Sequence, residues 1–159
     1  MKDAAILFLV ILVIVLSCLP IFKNIQNINA NWDWQQMLSY YRADRVSLLQ
    51  EHQVPLRSYY FCGGYPLLAN PQDGSLNPFL IPVLIFGEVV GLKINVLLFH
   101  LIGALGMYYL TRSVLKYNSI ASAFSTLVFC LGGHAHRLLI RGQDYIPTGF
   151  SFFIPLALA

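Results

Sequence analysis

The chain has 159 residues, of which 57% are hydrophobic and only 11% are charged, whereas soluble proteins carry about 25% charged residues. A water-soluble domain could not hide that much apolar surface, so the composition excludes one and indicates an integral membrane protein. The net charge of +3 is small and the basic residues are scattered, which gives no basis for nucleic-acid binding. The three cysteines form neither a disulfide framework nor a metal knuckle.

The first predicted element is a transmembrane helix over residues 4–22. This run holds no charge, and its length is close to the roughly 20 residues that a spanning helix needs. A cleaved signal peptide is the alternative, since Lys2 precedes the run and Cys18 lies in a segment that resembles a lipoprotein cleavage site. The apolar run continues past Cys18 to Phe22, which favours the uncleaved helix.

Residues 23–78 are polar and rich in aromatic side chains, which is typical of a large ordered loop. Apolar residues at steps of three and four predict an amphipathic helix near 34–50, lying along the membrane interface or packed on the rest of the protein. Its predicted apolar face comprises Trp34, Met37, Leu38, Tyr41, Leu48 and Leu49, with the stem of Arg45. Further along, Gly63, Gly64 and Pro66 are expected to shape a turn-rich coil.

The second half of the chain contains three apolar runs. The run 79–90 is too short for a full span and includes Pro82, which predicts an interfacial or half-inserted helix. Residues 94–110 predict a span with His100 inside it, and residues 119–133 predict another. The short connection between these spans holds Arg112 and Lys116, which the positive-inside rule places in the cytoplasm.

This topology places the N-terminus inside the cell, and the loops 23–78 and 134–144 outside it. If residues 79–90 cross the membrane fully, the later assignments invert. The final run, 145–159, is expected to begin a span that is cut short. The chain is therefore interpreted as the N-terminal fragment of a longer transmembrane domain.

Two loop segments carry candidate functional side chains. Asp33 is the first acidic residue beyond the first span and stands between Trp32 and Trp34; tryptophans favour the headgroup level, so this carboxylate is expected at the membrane surface. Its alternative role is to cap the helix that follows. The second outer loop contains His134, His136, Arg137, Arg141 and Asp144.

The two arginines of the second outer loop are four residues apart and would share one helical face, which suits a phosphate or an anionic lipid headgroup. Anchoring of the chain by snorkelling is their alternative role. The two histidines could share a metal only in an extended segment, and hydrogen-bonded histidines are the default interpretation.

Several motifs occur in an order that resembles the bacterial GT-C superfamily, and within it the YfhO-like membrane proteins. They are Trp32-Asp33-Trp34, the run from Gly63 to Gln72, Asn77-Pro78, Phe86-Gly87 and the segment from His134 to Gln143. The resemblance implies an all-α polytopic fold, with N-terminal transmembrane helices and a large first outer loop carrying interfacial helices. It also implies a multi-pass protein of the bacterial inner membrane.

The implied activity is sugar transfer from a polyprenyl-phosphate-linked donor to an acceptor on the non-cytoplasmic face. Asp33 matches the first-loop acid of the family, and Asp144 is the candidate for a second acid. Arg137 and Arg141, with His134 and His136, are then expected to bind substrate, and a divalent cation is compatible with this chemistry. The implied partners are the lipid-linked donor, membrane lipid and an acceptor glycan, lipid or protein.

Two other functions fit the same sequence. A multi-span transporter would use polar residues inside the spans, but here polar residues concentrate in the loops. A non-catalytic protein of cell-envelope assembly would use the aromatic loop purely as a surface.

Overall fold

The computed structural model describes residues 2–27, 32–59, 63–70, 74–133 and 149–159. The described chain is mostly helical, which confirms the expected all-α class at that level. Two helices are long and apolar enough to cross a membrane: Asp3–Phe22, with a mean hydropathy of 3.2, and Glu88–Val114, with a mean hydropathy of 1.9.

The helices are α1 (Lys2–Cys18), α2 (Trp32–Leu49), α3 (Leu80–Phe86), α4 (Glu88–Tyr109), α5 (Ser119–Leu131) and α6 (Ile154–Ala157). Helix α1 continues as a 3₁₀ turn (Leu19–Phe22), and α4 continues as a π-helical turn (Leu110–Val114). Two short strands are β1 (Arg57–Ser58) and β2 (Tyr65–Pro66). The chain folds as two compact units, one of Met1–Lys23 with Val96–Ala159 and one of Asn24–Asn95.

In the first unit, α1 packs against α5. The buried residues of α5 are small and polar or weakly polar and recur every four positions, at Ser122, Thr126 and Cys130. The opposite face of α5 exposes Ile120 and Phe124, which are 77% and 68% accessible. This pattern is the reverse of the one a water-soluble helix shows, where the apolar stripe faces the core.

Helix α1 is apolar on all sides, and only 17% of its apolar segment is buried. Its buried residues also recur every four positions, at Val10, Ile14 and Cys18, while Phe8 and Leu16 are among its exposed side chains. Residues four apart lie on one face of a helix, so α1 has one narrow packed face and a broad apolar surface.

A polar cluster joins three segments at one end of the first unit. The guanidinium of Arg112 donates to Asp3 Oδ2 from Nη2 at 3.0 Å and from Nε at 3.2 Å. The hydroxyl of Ser119 donates to the other oxygen of the same carboxylate. The beginning of α1, the π-helical turn and the beginning of α5 therefore lie side by side.

In the second unit, β1 and β2 form an antiparallel pair in which Arg57 lies opposite Pro66. Gly63 and Gly64 precede β2 with φ angles of +74° and +126°. These are left-handed conformations that favour glycine, which confirms that the glycine pair shapes the chain here.

Helix α2 covers the predicted amphipathic segment, but it buries a different set of side chains. Trp34, Met37 and Tyr41 are buried as expected. Asp44 and Ser47, which are not part of the predicted apolar face, are also buried, whereas Leu49, which is part of it, is 46% exposed. The buried face of α2 extends from Tyr41 to Asp44, because residues three apart lie on the same face of a helix whether they are polar or apolar.

The break before the long helix lies at Gly87, within the predicted element 79–90. Helix α3 ends at Gly87, whose φ of +86° interrupts the helical conformation, and α4 begins directly at Glu88. Gly91 is instead helical, and a Cβ there would collide with the backbone of Val83. The predicted elements 79–90 and 94–110 are thus a seven-residue helix and one longer helix that includes Lys93.

The later predicted segments are described only in part. The expected span over 119–133 corresponds to α5, whose 13 residues are fewer than the roughly 20 that cross a bilayer. The outer loop 134–144 lies outside the described residues. Of the run 145–159, residues 149–159 are described, and they contain α6.

Candidate functional site

A cleft of about 190 Å³ lies within the Asn24–Asn95 unit. We call it the arginine cleft, and its lining residues are Arg42, Arg45, Val46, Leu49, Gln50 and Glu88. Most of them lie on the C-terminal half of α2, and Glu88 is the first residue of α4. Because Arg42 and Arg45 are three residues apart, the helix presents both guanidinium groups on the same side.

One carboxylate pairs with both guanidinium groups in the arginine cleft. Arg42 Nη1 donates to Glu88 Oε1 at 3.0 Å, and Arg45 Nη1 lies 3.7 Å from Glu88 Oε2. Glu88 is well protected, since its side chain is 17% exposed, whereas the Arg42 side chain is 73% exposed. The acidic residue also sits in the first turn of α4, where the helix dipole stabilises negative charge.

The two arginines keep donors for a further acceptor. Two positive charges and one negative charge leave the cleft with a net charge of +1. Arg45 Nε is buried and has no hydrogen-bond partner among the described residues. A guanidinium carries five N–H donors in a planar fork that matches the oxygens of phosphate. The cleft therefore has the charge and the donors to bind an anion.

A buried carboxylate lies on another part of α2. Asp44 is fully buried, and its Oδ1 accepts a 2.8 Å hydrogen bond from Ser75 Oγ. The neighbouring Gly74 packs so closely on the ring of Tyr41 that a Cβ would overlap it. Burial of an ionisable side chain is costly unless it is hydrogen-bonded, so the 74–75 segment provides part of the environment that Asp44 needs.

Lys93 is the most deeply enclosed cation in the described part of the chain, with 2% of the residue exposed. Its ammonium group donates to the backbone carbonyls of Asn24 and Asn27 at 2.6 Å each, and to that of Ile25 at 3.2 Å. The three donors of the ammonium are thus matched by three acceptors. Lys93 has a structural role, holding the segment after the first apolar helix against α4.

His100 lies in α4 within the first unit and is fully buried. Its Nδ1 is 2.8 Å from the carbonyl oxygen of Val96, so this nitrogen carries the proton. This bond is to the preceding turn of the same helix. The imidazole also packs on Phe152, with 4.8 Å between ring centroids, which places it in a tight aromatic core.

The site predicted from the sequence is only partly described. The backbone of Asp33 lies inside α2, which covers Trp32–Leu49. This does not fit the interpretation of Asp33 as the N-cap, because an N-cap residue precedes the helix and has non-helical dihedral angles. The Asp33 side chain lies outside the described part of the chain. So do His134, His136, Arg137, Arg141 and Asp144.

The arginine cleft was missed because its partners are distant in the sequence. Arg42 and Glu88 are 46 residues apart, and no local pattern relates them. The spacing of Arg42 and Arg45 on a predicted helix was the one available signal, and it indicates a shared face without indicating a partner.

Among the described residues, no group of three histidine, cysteine, aspartate or glutamate side chains is arranged to hold a metal ion. In comparisons with known proteins, no family model, no curated protein and no solved structure matches this chain. The functional argument therefore depends on the residues and on their geometry.

Proposed function

We propose that this chain belongs to a multi-pass integral membrane protein, a GT-C-type glycosyltransferase that uses a polyprenyl-phosphate-linked sugar. The observation that carries the membrane location is the reversed polarity of α5, which buries Ser122 and Thr126 and exposes Ile120 and Phe124. Helices that pack in lipid use small and polar residues at their contacts and turn large apolar residues outward. Exposed apolar residues around α1 support the same location.

The Asp3–Arg112–Ser119 cluster supports the proposed topology. It holds the beginning of α1 beside the end of the second long apolar helix, so both ends lie on one membrane face if each helix crosses once. The other ends, at Phe22 and Glu88, then share the opposite face. The segment between them must leave and return on that face, so α3 does not cross. Its seven residues extend only about 10 Å, against a bilayer core of about 30 Å.

In the proposed reaction, the Asp33 carboxylate takes the proton from an acceptor hydroxyl while that oxygen attacks the anomeric carbon of the donor sugar. The bond between the anomeric carbon and the phosphate oxygen breaks, and the lipid phosphate leaves as an anion. Arg137 and Arg141 are the proposed cationic groups that stabilise this charge. A positioned base of this kind contributes about 10²- to 10⁴-fold in rate. The support for these roles is the family resemblance.

The test is sugar transfer from a polyprenyl-phosphate donor by the full-length protein and its Asp33→Asn variant. Asparagine keeps the size of the side chain but removes its basicity, so we expect turnover to fall by about 100-fold or more. Glu51→Gln is a matched control, because it makes the same carboxylate-to-amide change at an exposed position, and it should leave turnover unchanged. Near-wild-type turnover in the Asp33→Asn variant would contradict the catalytic role.

A further inference from the structure

We infer that the arginine cleft binds the phosphate group of an anionic membrane lipid. This inference rests on the proposed membrane location, but it does not depend on sugar transfer. The first support is charge: Arg42 and Arg45 exceed Glu88 by one positive charge, and one phosphodiester carries one negative charge. A phosphate can accept from the guanidinium groups of Arg42 and Arg45, whose side chains are 73% and 38% exposed.

The second support is size and lining. The cleft of about 190 Å³ is smaller than the roughly 300 Å³ at which pockets for whole small molecules begin. It therefore suits a headgroup phosphate, with the rest of the ligand outside. Val46 and Leu49 add an apolar edge to the polar lining, and Leu49 is 46% exposed. A ligand that joins a phosphate to hydrocarbon matches both parts of this lining.

The third support is position along the chain. Glu88 is the first residue of a helix that is long and apolar enough to cross a membrane, so it is expected at headgroup depth. Three large apolar side chains of the preceding helix, Ile81, Ile85 and Phe86, are 57%, 65% and 57% exposed. Ile81 and Ile85 are four residues apart and share one face. An exposed apolar face directly before a charged cleft favours a lipid over a soluble phosphate.

In this interpretation, Glu88 stands where a phosphate would bind and competes with it. An ion pair that only holds α2 against α4 makes a different prediction. If the pair is purely structural, Glu88→Gln should lower stability and leave lipid affinity unchanged. If Glu88 competes with the ligand, removing its charge should strengthen binding, because the positive charge of the cleft rises from +1 to +2.

The experiment measures binding to the whole protein in a maltoside detergent, with tryptophan fluorescence as the readout. Both tryptophans of the chain lie in α2. The probes are dioctanoyl phosphatidylglycerol, dioctanoyl phosphatidylcholine, farnesyl phosphate and inorganic phosphate. We expect phosphatidylglycerol or farnesyl phosphate to bind tighter than phosphatidylcholine and inorganic phosphate. The stronger of the two anionic lipids identifies the source of the phosphate.

The variants decide whether the cleft is the site. Combined Arg42→Gln and Arg45→Gln substitutions should weaken binding of the anionic lipid by roughly tenfold or more, as expected for loss of charge-assisted hydrogen bonds. Glu88→Gln should strengthen it, and Arg57→Gln, at an exposed arginine of the same unit, should have no effect. Unchanged affinity in a folded double variant would overturn the inference, as would equal binding of inorganic phosphate or of phosphatidylcholine. Because the assay involves no sugar transfer, its failure is distinct from failure of the proposed enzyme activity.

Discussion

Lys93→Met is the substitution with the largest expected effect on the Asn24–Asn95 unit. Methionine keeps an unbranched apolar stem but removes the ammonium that donates to the carbonyls of Asn24, Ile25 and Asn27. A buried acceptor left without a partner costs about 1–3 kcal/mol. Two of the three contacts are short, at 2.6 Å, and the third is longer, at 3.2 Å. Because these carbonyls belong to exposed residues and can recruit water, we expect a total loss of about 3 kcal/mol.

The assay is unfolding of the purified protein by a denaturing detergent in mixed micelles, followed by tryptophan fluorescence. Trp34 is 2% exposed in the folded unit, so its emission should shift when α2 loses its packing. Lys23→Met is the matched control, since it makes the same change at an exposed lysine and should alter the free energy of unfolding by less than about 0.5 kcal/mol. A Lys93→Met variant as stable as this control would refute the structural role of the ammonium.

Two further substitutions test the packing of the same unit by the same assay. Gly91→Ala should lower the free energy of unfolding by about 1–3 kcal/mol, because its Cβ would collide with α3, whereas Gly133→Ala adds its Cβ in open space and should be nearly neutral. Ser75→Ala should cost about 1.5–3 kcal/mol through loss of the hydrogen bond to the buried Asp44 carboxylate. An unchanged unfolding curve for Gly91→Ala or Ser75→Ala would show that the contact concerned does not stabilise the unit.

The sequence predicted the features that depend on local patterns. Long apolar runs gave α1 and most of α4, because a helix satisfies its own backbone whatever surrounds it. Steps of three and four gave the position of α2, and adjacent glycines gave the left-handed turn at Gly63 and Gly64. In each case, the signal lies within a few neighbouring residues.

The features that the sequence did not predict depend on tertiary partners. Asp44 is not part of the predicted apolar face of α2, yet it is buried, and Ser75, from a distant segment, donates a hydrogen bond to it. Lys93 lies between the predicted elements 79–90 and 94–110, yet it is part of α4, where three carbonyls from another segment accept hydrogen bonds from its ammonium. The arginine cleft likewise depends on the contact between Glu88 and Arg42 of α2, which are 46 residues apart in the sequence.

Two glycines, Gly87 and Gly91, lie close to the break between α3 and α4, and the local sequence does not distinguish their roles. Glycine breaks a helix where the backbone turns left-handed and permits close packing where it stays helical. Gly87 takes the first role and Gly91 the second. The difference is set by the contact of α4 with the backbone of Val83, which the local sequence does not encode.

Membrane topology is the most direct test of the proposed enzyme, because the proposed sugar transfer requires the Asn24–Asn95 unit to face the non-cytoplasmic side. The measurement is labelling of intact and permeabilised cells with a membrane-impermeant maleimide, in a Cys62→Ser background. The Gln53→Cys and Ser113→Cys variants each add one exposed thiol, and the remaining Cys18 and Cys130 are buried. We predict that the Gln53→Cys variant reacts in intact cells and that the Ser113→Cys variant reacts only after permeabilisation. The reverse pattern, or labelling of both variants in intact cells, would contradict the proposed membrane topology.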